Sequence, residues 1–391
     1  CIEDHLGRGG SSCVYRVEFQ PVTGKLDLSL PTTSGTMPHQ LQPVIVPKGA
    51  RVPLLVSCRR QNLAADVQLS IDGLPEGVTF SGEPIAANDH LGLTLISASP
   101  KAQAGAHLIR LRGEARSSDG ESVYSSLTQR IGLSFGEPRK TIYHLVELNQ
   151  VPLVVTEAAP FQIRVTAPQA PLVQGGRLDL EVEVTRLPGF DEAVQVSLVL
   201  APPWISSVAD ELQLPPNQSI IKYGLAADRI AAPRAWSLLF VAQAETDRGT
   251  IKVASERIPI RVVEPFVNLM IEKAVTRQAS STIVRCDLDW KTRSDREATA
   301  VLRGLPKGAF AENIRLRPGQ ETVEFDVSVA KETPPAIHNT LYVELSVPEQ
   351  GEIVTHYLGR VGVLEVLEPG ASPKEELSRL EILRARQDRN P

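Results

Sequence analysis

Seven histidines, His5, His39, His90, His107, His144, His338 and His356, are the side chains best suited to move a proton or hold a metal. None belongs to a His-Glu-x-x-His or His-x-His arrangement, the spacings that aim two rings at one ion. No Gly-x-Ser-x-Gly elbow, P-loop or dinucleotide fingerprint occurs. Gly7-Arg8-Gly9-Gly10 looks like a phosphate loop, but it leads into an alternating run, so no helix terminus stands ready for an anion. Asp287 and Asp289, in "CDLDW", share one face of a strand about 7 Å apart, a separation suited to a glycosidase pair. Thr282, Val284, Cys286, Leu288 and Trp290 claim the inward face, however, so both carboxylates point to solvent with Arg285 beside them. No cofactor is expected. Calcium is the one ion for which "AANDH" (86–90) and "GFDE" (189–192) offer oxygens, and neither an EF-hand nor a nonapeptide repeat accompanies them.

Sugar binding would use exposed aromatic plates, and aromatic residues make up only 5% of the chain. Of three tryptophans, Trp290 continues the inward set of its strand and Trp236 enters a core strand. Trp204 follows Pro202-Pro203 at a turn, where it is either a binding plate or a cover on the sandwich end; the cover is the plainer reading. Cys58 and Cys286 continue inward apolar sets, which makes them buried thiols acting as small apolar residues. Cys1 and Cys13 could meet across the opening hairpin, but sequence does not supply disulfide geometry. With no Cys-x-x-Cys spacing, a structural zinc site is not expected.

The elements that carry these residues are short alternating runs separated by Pro, Gly, Asn and Asp, the pattern of β-sandwiches. They repeat. "PVIVPKGARVPLLVSCRR", "APLVQGGRLDLEVEVTRL" and "AVTRQASSTIVRCDLDWK" each open a unit with a turn and a strand of four inward apolar positions. "VQLSIDGLPEGVTF", "VQVSLVLAPPWISS" and "ATAVLRGLPKGAFA" then close on a proline-containing turn. Units of roughly 100 residues with about seven strands match an immunoglobulin-type sandwich. The fold expected is all-β: three tandem immunoglobulin-like sandwiches, an N-terminal hairpin and a short C-terminal helix.

The boundaries expected are a hairpin over 1–36, sandwiches over 37–137, 161–265 and 266–371, a connector over 138–160 and a helical tail over 372–391. The proline turns lie 128 residues apart from Pro75 to Pro203 but 103 from Pro203 to Pro306, and the excess is assigned to the connector. The short join at Glu264–Pro265 predicts a restricted angle between the second and third sandwiches. In the tail, Ser372 is the N-cap, Pro373 the first helical residue, and Glu375 closes a capping box. The opening run, with Cys13, Tyr15, Val17 and Phe19 on one face and "KLDLSLP" after a turn, cannot bury enough surface by itself.

"HLGRGG…VYRVEF…KLDLSLP", "VPKGARVPLLVSC" and "VTRLPGFDEAVQVSLVLAPPW" together resemble large exported proteins of planctomycete-type bacteria, in which a pre-peptidase C-terminal domain precedes tandem immunoglobulin-like repeats. The resemblance implies that residues 1–36 end a jelly-roll-like domain, with Arg8, Gly9, Gly10 and Tyr15 as its structural motif. It implies that Gly189, Phe190 and Asp191 form the repeat's strand-connecting motif, Phe190 plugging a sandwich end and Asp191 capping a loop. Units one and three lack that motif, and unit two has "APPWISS" where unit one has "GLPEGV". It also implies an exported protein, periplasmic or attached to the surface.

A net charge of −5 gives no electrostatic ground for nucleic acid, and no apolar run approaches the ~20 residues that cross a bilayer. The reading is therefore a non-catalytic structural or interaction protein whose partner is another protein or a second copy. Two alternatives stand beside it: the accessory region of a secreted hydrolase with its catalytic domain upstream, and a carbohydrate-binding array using Trp204. Cys1 is either a lipidated first residue or the place where this numbering starts.

Overall fold

Alternate residues of the runs above are apolar, so each run buries one face as a strand and shows the other to water. A computed structural model describes residues 10, 23–31, 39–117, 120–136, 142–209, 212–247, 249–292 and 297–370. Among them the regular elements are all β-strands, paired into sandwiches, and no helix long and apolar enough to cross a membrane occurs. Two compact units divide the chain, Cys1–Ala158 and Ala159–Pro391. Arg8, Gly9, Tyr15, the Cys1 and Cys13 thiols and the expected helix over 372–391 lie outside the described residues. Gly10 is described and exposed.

The first unit holds one sandwich. One sheet runs Lys25–Ser29, Arg51–Gln61, Leu91–Ala98, Val78–Gly82; the other runs Val44–Pro47, Val151–Thr156, Gly105–Arg116, Val67–Asp72, with Ser122–Ser126 added on Gly105–Arg116. Val52, Val56, Cys58 and Ile96 meet Ile109, Leu111 and Leu153 in its core. Val44–Pro47 pairs in parallel with Val151–Thr156, while the neighbouring pairings are antiparallel.

Two boundaries differ from those the sequence suggests. Lys25–Ser29 is not the end of an upstream domain: it pairs along Arg51–Gln61, and Leu26 and Leu28 lie in the sandwich core. The connector is not a connector either. Val151–Thr156 is the closing strand of the first sandwich, with Val151, Leu153 and Val155 fully enclosed. The extra length sits earlier, in the two-stranded ribbon of Gln129–Phe135 and Ile142–Leu148.

In the second unit the same plan appears twice. Phe161–Val165 pairs with Gly176–Arg186, and Val267–Ile271 with Ser280–Trp290, as Lys25–Ser29 pairs with Arg51–Gln61. The parallel pair recurs as Leu172–Val173 with Ile258–Val263 and as Ala274–Arg277 with Glu352–Leu367. Between the two repeats the sheet does not stop. The 16-residue strand Glu352–Leu367 pairs with Ile337–Glu349 of its own repeat, and its first half also pairs with Gly176–Leu178 of the preceding one. A nine-stranded sheet thereby spans both repeats.

Candidate functional site

The proline turns share one backbone geometry in all three repeats. The amide of Val78 bonds the Pro75 carbonyl at 3.1 Å, Ile205 bonds Pro202 at 3.1 Å, and Ala309 bonds Pro306 at 3.0 Å. Two residues in each turn take positive φ: Gly73 and Gly77, Leu200 and Trp204, Gly304 and Gly308. Glycine fits these positions because it has no Cβ to meet the following carbonyl. The second repeat keeps the backbone and places leucine and tryptophan there, at φ 48° and 66°. Neither is hidden: Leu200 is 42% and Trp204 58% exposed, so about half of each side chain meets solvent. The Trp204 carbonyl accepts the Asp228 amide at 2.8 Å, tying the turn to the loop that carries exposed Ile230.

The Gly189-Phe190-Asp191 motif sits between the strands Gly176–Arg186 and Val194–Val199. Gly189 has φ 85° with open space around it, so its backbone conformation selects glycine. Phe190 stacks on buried Phe161 with ring centroids 5.4 Å apart, at the end of the second sandwich. Asp191 acts electrostatically on Arg186, whose pKa burial lowers and the carboxylate raises.

Arg186 belongs to a recurrent device. One inward position past the last core residue of their strands stand Arg60, Arg186 and Trp290. Arg60 donates to the carbonyls of Asp89, Ile85 and Ala86 at 2.5, 2.9 and 3.0 Å. Arg186 donates to those of Gln218, Leu214 and Pro215, and Trp290 Nε1 to that of Gln320. Each fastens a loop of its own repeat. In "AANDH", the carbonyl oxygens of Ala86 and Asp89 thus already face a guanidinium. Among the described residues, no three His, Cys, Asp or Glu side chains converge as a metal site.

Asp287 and Asp289 lie on the solvent face, each beside its own cation: Arg285 at 3.6 Å and Lys291 at 2.6 Å. The Lys291 hydrogen bond holds the Asp289 carboxyl below its usual range. Cys58 and Cys286 are free and buried; burial raises both thiols, Cys286 to about 12, which leaves them protonated and inert. Trp236 carries the Arg234 guanidinium 3.7 Å over its ring.

The sequence signals a short join between the second and third repeats, but not the pairing and side chains that close it. Gly176 lies opposite His356, and a Cβ there would collide with the Thr355 carbonyl and the Val173 side chain. The Tyr357 amide bonds the Gly175 carbonyl at 3.1 Å. Glu352 accepts the amides of Gln169 and Ala170 at 3.2 and 2.9 Å. His356, 1% exposed, accepts the Phe266 amide on Nε2 at 3.3 Å, and the two rings lie 5.1 Å apart. The joint therefore combines a backbone ladder, a carboxylate clamp and a buried imidazole.

No protein-family model matches the chain, and no curated protein matches it. Among solved structures it is similar to a protein of unknown function from Porphyromonas gingivalis W83 (11% identity, 53% of this chain and 100% of that one, TM-score 0.20). The D00-D0 domain of intimin matches at 8% identity over 60% and 98% of the two chains, with a TM-score of 0.20. The fibronectin(III)-like modules of Clostridium thermocellum CbhA match at 11% identity over 62% and 95%, with a TM-score of 0.18. Chains superposed this loosely lend no function to this one; the fold rests on its own pairing and cores.

Proposed function

We propose that this chain is a non-catalytic array of immunoglobulin-like sandwiches, working outside the cytoplasm to space and present a surface to a protein partner or a second copy. The observation that carries the reading is the sheet shared by the second and third repeats. A continuous ladder through Gly176–Leu178 and Val354–His356 resists a change of angle in a way that a flexible linker does not. Such stiffness suits a spacer. Leu200 and Trp204 supply the presented surface, because an exposed tryptophan held in a conformation that disfavours it points to a use beyond the turn. Export is supported by the sequence resemblance to exported bacterial repeat proteins. The accessory-region alternative loses part of its ground, since Lys25–Ser29 belongs to the first sandwich.

Protease shaving of intact native cells tests the reading. Peptides from 23–370 released from intact cells, or once the outer envelope alone is opened, are the expected result; their release only after lysis of the cytoplasmic membrane contradicts an extracytoplasmic site.

A further inference from the structure

An imidazole enclosed between two repeats is a poor choice for cohesion alone, because a leucine there would fill space without needing partners. What His356 adds is a single acceptor. Nε2 receives the amide of Phe266, the second residue beyond Glu264 in the join between the repeats. The neutral ring therefore carries its proton on Nδ1. A second proton can enter only at Nε2, where it replaces the acceptor by an N–H aimed at the Phe266 N–H.

We propose that His356 is an acid-released latch: neutral, it holds the linker and the Gly176–Leu178 ladder closed; protonated, it loosens the joint while each sandwich keeps its own core.

The surroundings offer the charged ring no carboxylate. Directly opposite stand Gly176 on one neighbouring strand and Leu345 on the other. Arg177, Glu344 and Tyr357 occupy alternate positions and so point to the other face of the sheet. Arg177 is paired there with Asp179, and Glu344 with Arg303. Glu352 is engaged by the Gln169 and Ala170 amides. Glu264 is the remaining carboxylate of the join, and no charged group is among the influences on the ring. The strands Leu172–Val173 and Val267–Ile271, which also pack on Glu352–Leu367, hold no titratable residue, and Ala274–Arg277 carries only Arg277, opposite Leu367 at the far end of the strand. Burial lowers the pKa from 6.5 to about 4, against the opposing pull of the Leu345 and Val354 carbonyls.

Open joints take up a proton near pH 6.5 and closed ones only near 4, so closure is fully favoured above 6.5 and weakens as pH falls between the two values. The opening equilibrium approaches a limit of roughly 300-fold only well below pH 4; between pH 7 and 4 it rises by roughly 100-fold.

Hydrogen exchange on the full chain tests this, with intrinsic exchange divided out at each pH. From pH 7 to 4, peptides containing Gly176–Leu178 and Phe266 are expected to lose protection by up to that factor. Peptides from the third core, Val284–Leu288 and Val323–Val327, keep theirs. His356→Gln retains an acceptor for the Phe266 amide and cannot take up the proton, so its protection should stay flat. The proposal fails if the wild-type joint keeps its protection to pH 4, if all peptides lose protection together, or if H356Q loses it as the wild type does. Should H356Q not fold, the wild-type comparison of joint against core peptides decides alone.

Discussion

A tryptophan at positive φ is a cost that the neighbouring repeats avoid. Gly77 and Gly308 take Trp204's position without strain, and Gly73 and Gly304 take Leu200's. Restoring glycine at both sites in the second repeat relieves roughly 1–2 kcal/mol per residue and returns part of it as chain flexibility. Leu200→Gly with Trp204→Gly should therefore stabilise the second unit by about 1 kcal/mol in total, read as a higher denaturant midpoint at unchanged slope. A loss of stability would mean that the two side chains pack where their exposure says they do not. The departure of "APPWISS" from "GLPEGV" was visible in the sequence; that the backbone stays the same through the departure was not. Alternation likewise placed Cys58, Cys286 and the outward Asp287–Asp289 pair, since a period of two fixes the face. Nothing in that period marks Arg60, Arg186 or His356, whose partners lie up to 90 residues away.

At the scale of strands, the inward pattern located most elements, and errors arose where a strand's partner is distant. "KLDLSLP" and "VPLVVT" both alternate correctly, yet alternation says nothing of which sheet a strand joins. Their assignment to a hairpin and a connector followed from proximity along the chain, whereas Lys25–Ser29 pairs with residues more than 25 positions on and Val151–Thr156 with Val44–Pro47. The consequence is measurable. A fragment ending at 137, the boundary the sequence suggests, lacks Val151, Leu153 and Val155, three fully enclosed side chains worth about 1.5–3 kcal/mol each. It should show no cooperative melt by circular dichroism, while a fragment of residues 1–158 melts cooperatively. Cooperative melting of the shorter piece would remove Val151–Thr156 from the sandwich.

For the molecule as a whole, the resemblance of the three repeats suggests three equal beads, and the pairing contradicts that picture. The first sandwich closes on itself through Val151–Thr156, whereas the second and third lie within one compact unit and share one sheet. The short join at Glu264–Pro265 signalled a restricted angle; the added ladder and the His356 contact are what restrict it. A spacer built this way has fewer independent parts than repeats. Stretching the full chain in an optical trap counts those parts. At roughly 3.5 Å per residue, two unfolding steps are expected, one releasing about 450 Å and one on the order of 700 Å. Three separate steps of roughly 350–450 Å would show that the second and third repeats come apart singly and would contradict the shared sheet as a stiff joint.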